Sequence, residues 1–409
     1  MLDELDTVAQ RADYTFKHNR NLGRHGWLRL TPAYSVKLVK NLLKGVPDDE
    51  LILDPFSGTA TTGLTAAEHG NRAITFDINP FLIWLGNVKC RNYTEAYLKV
   101  VQQTADKALS KVEGSLKREH WQPEIFNIEL WWSPHTWKVL WALRDCLVKE
   151  FGEPAENQED GLAWVAFCRL IIETSSAAFN HVSMSFSEGV THHEVEHVVE
   201  LYKAILCYIL QSCASPFTGH AKVMEVDARN IPDMGMRFDR VITSPPYPNR
   251  ISYIRELRPY MYWTKFLQEA RSAGELDWKA IGGTWGIATS RLNDWKPDVE
   301  LLSPALFETV QSIAQAESKN GELLATYVFK YFHDMHLHFS TLRGVLANGA
   351  ELHYIVGNSS FFGNMVDTAE LMSASMRRLG YENVKSEIIR KRNCNKALYE
   401  YDVTAMWHG

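Results

Sequence analysis

The sequence predicts a doubly wound α/β domain on a mostly parallel sheet, interrupted by one helical and one loop-rich insertion. Three observations carry this expectation. Residues 50–77 alternate strand, helix and strand, the pattern of a βαβ unit. From about 93 to 220 the chain reads as helix after helix, with apolar positions at helical spacing. From 221 onward strand signals return and alternate with helices.

Taken in order, Glu-Leu-Ile-Leu-Asp at 50–54 is a short apolar run bounded by a Gly/Thr turn, hence a buried strand followed by a helix to about Gly70. Residues 72–77 read as a second strand. Pro80 then suits the first turn of a helix, where a missing N–H costs nothing. Helical spacing marks 95–116, 134–151, 161–179 and 192–212. Strands are expected at 221–226 and 238–243, and a helix near 254–270. Residues 271–300, with Gly282, Gly283, Trp278, Trp285, Trp295 and Pro297, look irregular. A helix near 322–346, a strand at 350–357, a helix at 365–379 and strands at 384–391 and 398–406 follow. The expected organisation is 1–92 as the first part of the α/β domain, 93–220 as a helical insertion, and 221–409 as the second part, with an insertion at about 271–320.

Composition narrows the function classes. With 43 Lys+Arg against 49 Asp+Glu the net charge is −6, so the chain is no basic nucleic-acid coat, and any such contact must come from a local positive face. No apolar run approaches the roughly 20 residues that span a bilayer. The acidic start, Met1-Leu-Asp-Glu, lacks the apolar stretch of a secretory leader. Six cysteines (90, 146, 168, 207, 213 and 394) form no C-x-x-C pair, which fits reduced thiols and a cytoplasmic location.

The chemistry concentrates at strand ends. Thr243-Ser244-Pro245-Pro246-Tyr247 closes a predicted strand, and open α/β sheets bind ligands beyond the carboxyl ends of their strands. Two prolines remove two backbone donors and leave carbonyls to accept. The serine hydroxyl adds an acceptor and the tyrosine a ring face, a set suited to a planar base carrying an exocyclic amine. Alone, such a loop is an ordinary turn. It does not stand alone: Asp54-Pro55-Phe56-Ser57-Gly58-Thr59 follows the first strand and opens a helix, where small residues let a ligand approach backbone N–H groups. Asp77 ends the second strand at the spacing that places a carboxylate on ribose hydroxyls, and Asp227 follows the third. Each aspartate singly is a strand-end cap; three at successive strand ends are harder to dismiss.

D-P-F-x-G-x-x-T-T (54–62), D-I-N-P (Asp77 to Pro80), V-D-A-R (Val226 to Arg229) and T-S-P-P-Y (Thr243 to Tyr247) together resemble the motif series of the DNA amino-methyltransferases. His25 with Thr31-Pro32-Ala33 is similar to that family's methionine-binding segment, and Val356-Gly357-Asn358-Ser359 to a later strand. The resemblance covers about 21–92, 221–265 and 348–406, and implies a Rossmann-like class I methyltransferase fold with S-adenosylmethionine as cofactor. It places Thr31, Pro32, Ala33, Asp54, Pro55, Phe56, Gly58 and Thr59 at the methionine end, Asp77 and Asn79 at the ribose, and Asp227 and Ala228 at the adenine. Ser244 and the Pro245 carbonyl would accept from the target amine, Pro246 would shape the loop, and Tyr247 would stack on an extruded base. Asn249, Arg250 and Tyr253 would line the base pocket. Ala60 departs from the family's usual glycine and Thr31 from a common tyrosine.

The implied reaction is direct methyl transfer without a covalent enzyme intermediate, with the base taken out of double-stranded DNA. Serine in the S-P-P-Y loop resembles the cytosine-N4 branch more than the adenine-N6 branch, which remains the alternative, followed by tRNA guanine-N2 methylation. A cytosine-C5 reading would need a Pro-Cys pair, which the sequence lacks. A companion restriction or defence component is an expected partner. His193-Glu194-Val195-Glu196-His197 satisfies H-E-x-x-H, the spacing of a zinc peptidase, but reads better as a solvated helix face. His333, His336 and His338 share one predicted helix without an evident acidic partner. For DNA contact the candidates are Lys17, Arg20, Arg24 and Arg29, Lys385, Arg390, Lys391, Arg392 and Lys396, and the two insertions embracing the duplex, with Arg291 in the second; the aromatic stretch 121–141 reads as core.

Overall fold

The computed structural model describes residues 8–30, 33–119, 121–157, 161–178, 185–186, 188–283, 287–297, 303–316, 318–392 and 397–409. Its centre is a seven-stranded sheet of β1 (Leu51–Asp54), β2 (Arg72–Asp77), β3 (His220–Glu225), β4 (Phe238–Thr243), β5 (Leu346–Gly357), β6 (Glu382–Lys391) and β7 (Tyr399–Trp407). The strand order is β6-β7-β5-β4-β1-β2-β3. Pairs β3–β2, β2–β1, β1–β4 and β4–β5 are parallel, while β7 runs antiparallel to both β5 and β6. This is the expected Rossmann-like sheet with one reversed strand. The order turns between β1 and β4, the point where such sheets open a ligand crevice.

Alternate strand residues feed two layers. Ile52 and Ile242 join the core of α1 (Val36–Leu42) and α2 (Thr61–His69), whereas Leu53 and Val241 pack beneath α11 (Gly321–Leu342) and α12 (Thr368–Arg378). Both faces are covered, so the central strands read as apolar runs rather than alternations. Gly63 in α2 sits where a Cβ would stand 3.1 Å from the Thr75 side chain, so glycine sets the helix close on the sheet.

The helical insertion comprises α4 (Glu95–Leu109), α5 (Pro134–Phe151), α6 (Gly161–Glu173) and α7 (Val195–Cys213). It shares one core with α3 (Pro80–Cys90) and α8 (Tyr253–Trp263): Phe81, Trp84, Trp132, Trp164, Tyr260 and Trp263 are all buried together. Trp131 and Trp132 stack within it, as the core reading of 121–141 anticipates.

Residues 271–300 are more regular than expected. They contain α9 (Ala270–Lys279) and a helical turn at Ile287–Leu292, and α10 (Pro304–Ala314) follows. The buried face of α9 consists of Ala273, Gly274 and Asp277, which leave no apolar periodicity to read. The helix expected over 254–270 ends at Trp263 and those expected at 95–116 and 161–179 stop at Leu109 and Glu173, a separate short turn following at Val112–Ser115. Trp285 and Lys396 lie outside the described residues. Among the described residues no helix is long and apolar enough to cross a membrane.

Candidate active site

A cleft of about 1220 Å³ opens beyond the carboxyl ends of the central strands, more than the roughly 300–1,000 Å³ of a single small-ligand site. Ala33, Pro55, Phe56, Gly58, Thr59, Asp77, Asn79, Asp227 and Ala228 line one part. Ser244 to Tyr247, Asn249, Arg250 and Tyr253 line the adjoining part. Thus one cleft holds the predicted cofactor residues beside the predicted base residues. Thr31 and Pro32 lie outside the described residues.

At the first turn the chain passes through Gly58 (φ +50°) and Ala60 (φ +59°) before α2 begins. Gly58 donates its N–H to Asp77 Oδ2 at 2.9 Å, and Asn79 donates its N–H to Oδ1 at 2.8 Å. Burial nonetheless pushes the Asp77 carboxyl up to about 7. Asn79 is chiefly a helix cap, its Oδ1 accepting from the Phe81 N–H at 3.0 Å. Ala60, which stands where the family usually has glycine, is not in the cleft wall. Its methyl is wholly buried below the turn, where about 0.8 kcal/mol of burial offsets part of the roughly 1–2 kcal/mol cost of a left-handed residue.

Asp54 departs from expectation. It is fully buried and stands under the cleft floor rather than in its wall. Its Oδ1 accepts from Thr243 Oγ1 at 2.5 Å and from the Phe56 N–H at 3.0 Å, tying the end of β1 to the start of the Ser244 loop. Among the described residues its Oδ2 has no hydrogen-bond partner within ordinary geometry, and burial pushes the carboxyl up to about 6. Tyr34, unmarked in the sequence, is in the cleft wall and bonds the Thr62 hydroxyl above this aspartate.

Asp227 is committed to Arg229, which donates from Nε at 3.0 Å and from Nη2 at 2.7 Å. Against the burial that opposes it, this guanidinium holds the carboxyl below its ordinary value. The turn after it is held by His338, whose Nδ1 donates to the Ala228 carbonyl at 2.9 Å while Nε2 accepts from the Tyr354 hydroxyl at 2.6 Å. Burial lowers His338 to about 4, so the neutral ring with one donor and one acceptor persists. His338 therefore works behind the cleft, edge-on to Phe56 at 4.9 Å between ring centroids.

In the catalytic-loop candidate, Ser244 Oγ donates to the Ile355 carbonyl at 3.1 Å. The Pro246 carbonyl accepts from Tyr331 at 2.7 Å. The Tyr247 N–H donates to the Tyr253 hydroxyl at 3.2 Å, so Tyr253 braces the loop as well as lining the pocket. Arg250 adopts φ +60° and is exposed at the mouth.

Basic residues sort by geometry. Lys17, Arg20, Arg29, Arg390 and Arg392 line the cleft. Arg24 is buried instead, donating to the Lys89 and Arg91 carbonyls at 2.9 and 2.5 Å, a structural staple rather than a phosphate contact. Arg291 pairs with Glu275 at 2.7 Å. In the H-E-x-x-H segment His193 and His197 stack at 5.0 Å between ring centroids, although α7 begins only at Val195 with Glu194 as its N-cap. Glu194 meets His192 at 2.9 Å and His135 at 3.5 Å on an exposed surface. His333 has an acidic neighbour after all, Asp334 at 3.8 Å.

The family model of the D12 class N6 adenine-specific DNA methyltransferases matches residues 36–120. Type II methyltransferase M.BsoBI of Geobacillus stearothermophilus is 23% identical over 97% of this chain and 86% of its own length. The solved rRNA methyltransferase aviRa of Streptomyces viridochromogenes covers 92% of this chain and 86% of its own at 9% identity, with a TM-score of 0.28, a likeness on which nothing rests. The comparisons support an S-adenosylmethionine-dependent DNA methyltransferase.

Proposed function

We propose that the protein methylates an exocyclic amine of a base extruded from double-stranded DNA. The carrying observation is the opening of the Ser244–Tyr247 loop into the same cleft as Asp77 and Asp227. S-adenosylmethionine supplies an electrophilic methyl on a positively charged sulfur. The chain's own residues then hold and orient. Asp77 accepts from the ribose hydroxyls, and Asp227, already paired with Arg229, keeps lone pairs for the adenine amine. Asp54, beneath the floor at the methionine end, acts by holding the start of the Ser244 loop against the end of β1. Ser244 Oγ and the Pro245 carbonyl accept the target N–H groups, which favours a pyramidal nitrogen with its lone pair aimed at the methyl. Tyr247 supplies the stacking face. Catalysis of this kind is positioning and electrostatics, with no nucleophilic side chain.

Adenine N6 is the first expectation for the target, because the D12 match favours it. Cytosine N4 is kept as a second reading on one observation: the loop presents the neutral hydroxyl of Ser244, and the matched residues 36–120 stop before that loop. Lys17 and Arg20 at the cleft mouth are the proposed phosphate contacts, and a companion restriction enzyme is a proposed partner. The test incubates protein with labelled S-adenosylmethionine and unmethylated genomic DNA, and identifies the modified nucleoside by mass spectrometry. N6-methyladenine supports the first reading and N4-methylcytosine the second. Either product should vanish in a Ser244→Ala/Tyr247→Ala variant. Absence of both products from a protein that binds the cofactor sinks the DNA assignment.

A further inference from the structure

Glu400 lies on β7, outside every motif behind the methyl-transfer reading, yet it is only 4% exposed and stands in the cleft wall. A buried carboxylate is costly unless polar partners surround it. Arg390, its cross-strand partner on β6, donates from Nε to Oε2 at 2.7 Å and from Nη2 to Oε1 at 3.0 Å. The third donor is the Tyr247 hydroxyl, 2.9 Å from Oε1. Just past the end of β6, the Arg392 guanidinium lies 5.0 Å from the Tyr247 ring centroid, within cation–π reach. Its Nη1 is anchored on the Asn358 carbonyl at 2.9 Å. Gly357 makes this packing possible: a Cβ there would stand 2.4 Å from Arg392 Nη1 and 2.8 Å from Tyr247 Cε2. The tyrosine ring is thus held at its hydroxyl and packed along its side by the ends of three strands.

We propose that Glu400 is a positioning residue for the target base, acting through Tyr247. It fixes the ring plane on which the base stacks and draws the tyrosine proton away from Ser244. The second effect follows from hydrogen-bond direction, since a hydroxyl has one proton to give. While Tyr247 gives it to Glu400, it cannot donate to Ser244 Oγ, 3.5 Å away. Ser244 turns its own proton to the Ile355 carbonyl, and its lone pairs stay available to the target amine. Arg390 keeps the carboxylate in place, and Arg392 packs the ring. This role rests on the function proposed above.

The test measures kcat, DNA KM and calorimetric cofactor affinity for Glu400→Ala, Glu400→Gln, Tyr247→Phe and the Tyr247→Phe/Glu400→Ala double variant. Loss of a charge-assisted hydrogen bond corresponds to about a tenfold or greater fall in kcat for Glu400→Ala, with cofactor affinity unchanged. The double variant should be no slower than the slower single variant. Glu400→Gln, which keeps an oxygen able to accept from Tyr247, should recover part of the loss. It also serves if Glu400→Ala fails to fold with Arg390 left unpaired. Wild-type kcat in Glu400→Ala, a glutamine variant no better than alanine, or losses that multiply in the double variant would overturn the role of Glu400. A wild type that binds cofactor but methylates no DNA base overturns the function beneath it instead.

Discussion

Asp77 is the residue at which burial and function meet most directly. Its carboxyl, raised to about 7 by burial despite two backbone N–H donors, is partly protonated just below neutrality. Donors on a ligand favour the charged form, so cofactor binding should lower this value and release a proton. The sign follows: affinity strengthens as pH rises through about 6 to 7.5 and weakens as it falls. Calorimetric titration of the cofactor across that range should show the trend, and Asp77→Asn should remove it. An affinity independent of pH in the wild type would mean that the Asp77 carboxylate does not meet the ligand. Such residues were legible because motif and strand end coincide in the chain. Tyr34, His338 and Glu400 were not, since each acts through a partner distant in sequence: Thr62, Ala228 and Tyr247.

Between elements, the strands β4, β5 and β7 are joined by a charged chain away from the cleft. Arg240 on β4 bonds Glu50 at 2.9 Å and Glu351 on β5 at 2.6 Å, and His353 bonds Glu351 at 3.1 Å and Asp402 on β7 at 2.8 Å. Although burial opposes it, Asp402 and Glu351 push His353 up to about 9. A histidine that binds its proton more tightly when folded adds stability that is complete below its ordinary value of 6.5 and lost as pH rises through about 9. Glu351, held at about 2 chiefly by its bond to His353, works oppositely: its contribution is present above its ordinary 4.5 and lost as pH falls toward 2. The melting-temperature gap between wild type and His353→Gln should therefore be widest near pH 6 and shrink toward pH 9.5. A gap constant across that range would show that the histidine carries no linked proton. This chain was invisible in the sequence because pairing of β7 between β5 and β6, and its reversal, depend on tertiary packing. By contrast β1, α2 and β2 were readable because apolar runs, Gly/Thr turns and Pro80 are local signals. The helix α9 escaped for the converse reason, its buried side being alanine, glycine and aspartate.

Across the whole molecule, the helical insertion and the sheet behave as one folding unit by the composition of their shared core. Trp263 at the end of α8 is wholly buried and meets Trp121, Trp132 and Phe167 of the insertion at centroid distances of 5.6–6.5 Å. Its carbonyl accepts from Arg144 Nε of α5 at 2.8 Å. On the other side Phe81 stacks on Tyr260 at 5.6 Å, which carries the same core to α3, the helix that follows Asp77. Arg24 adds a second tie, linking the N-terminal segment to the Lys89 and Arg91 carbonyls and so to the start of the insertion. Contacts of this kind couple the two bodies more strongly than a linker would. Unfolding should accordingly be a single transition, with tryptophan fluorescence, to which the insertion contributes six of the thirteen tryptophans, coincident with far-ultraviolet circular dichroism, which reports on the whole chain. Trp263→Ala, a large-to-small change at the junction, should cost about 3–5 kcal/mol and shift both signals together. Two separated transitions, or a tryptophan signal displaced by Trp263→Ala while the dichroism stays put, would make residues 93–220 an independent domain. Should the signals coincide, a ligand held at the strand ends would be expected to stabilise the insertion as well, because the same helices α3 and α8 carry the residues after Asp77 and after the Ser244–Tyr247 loop.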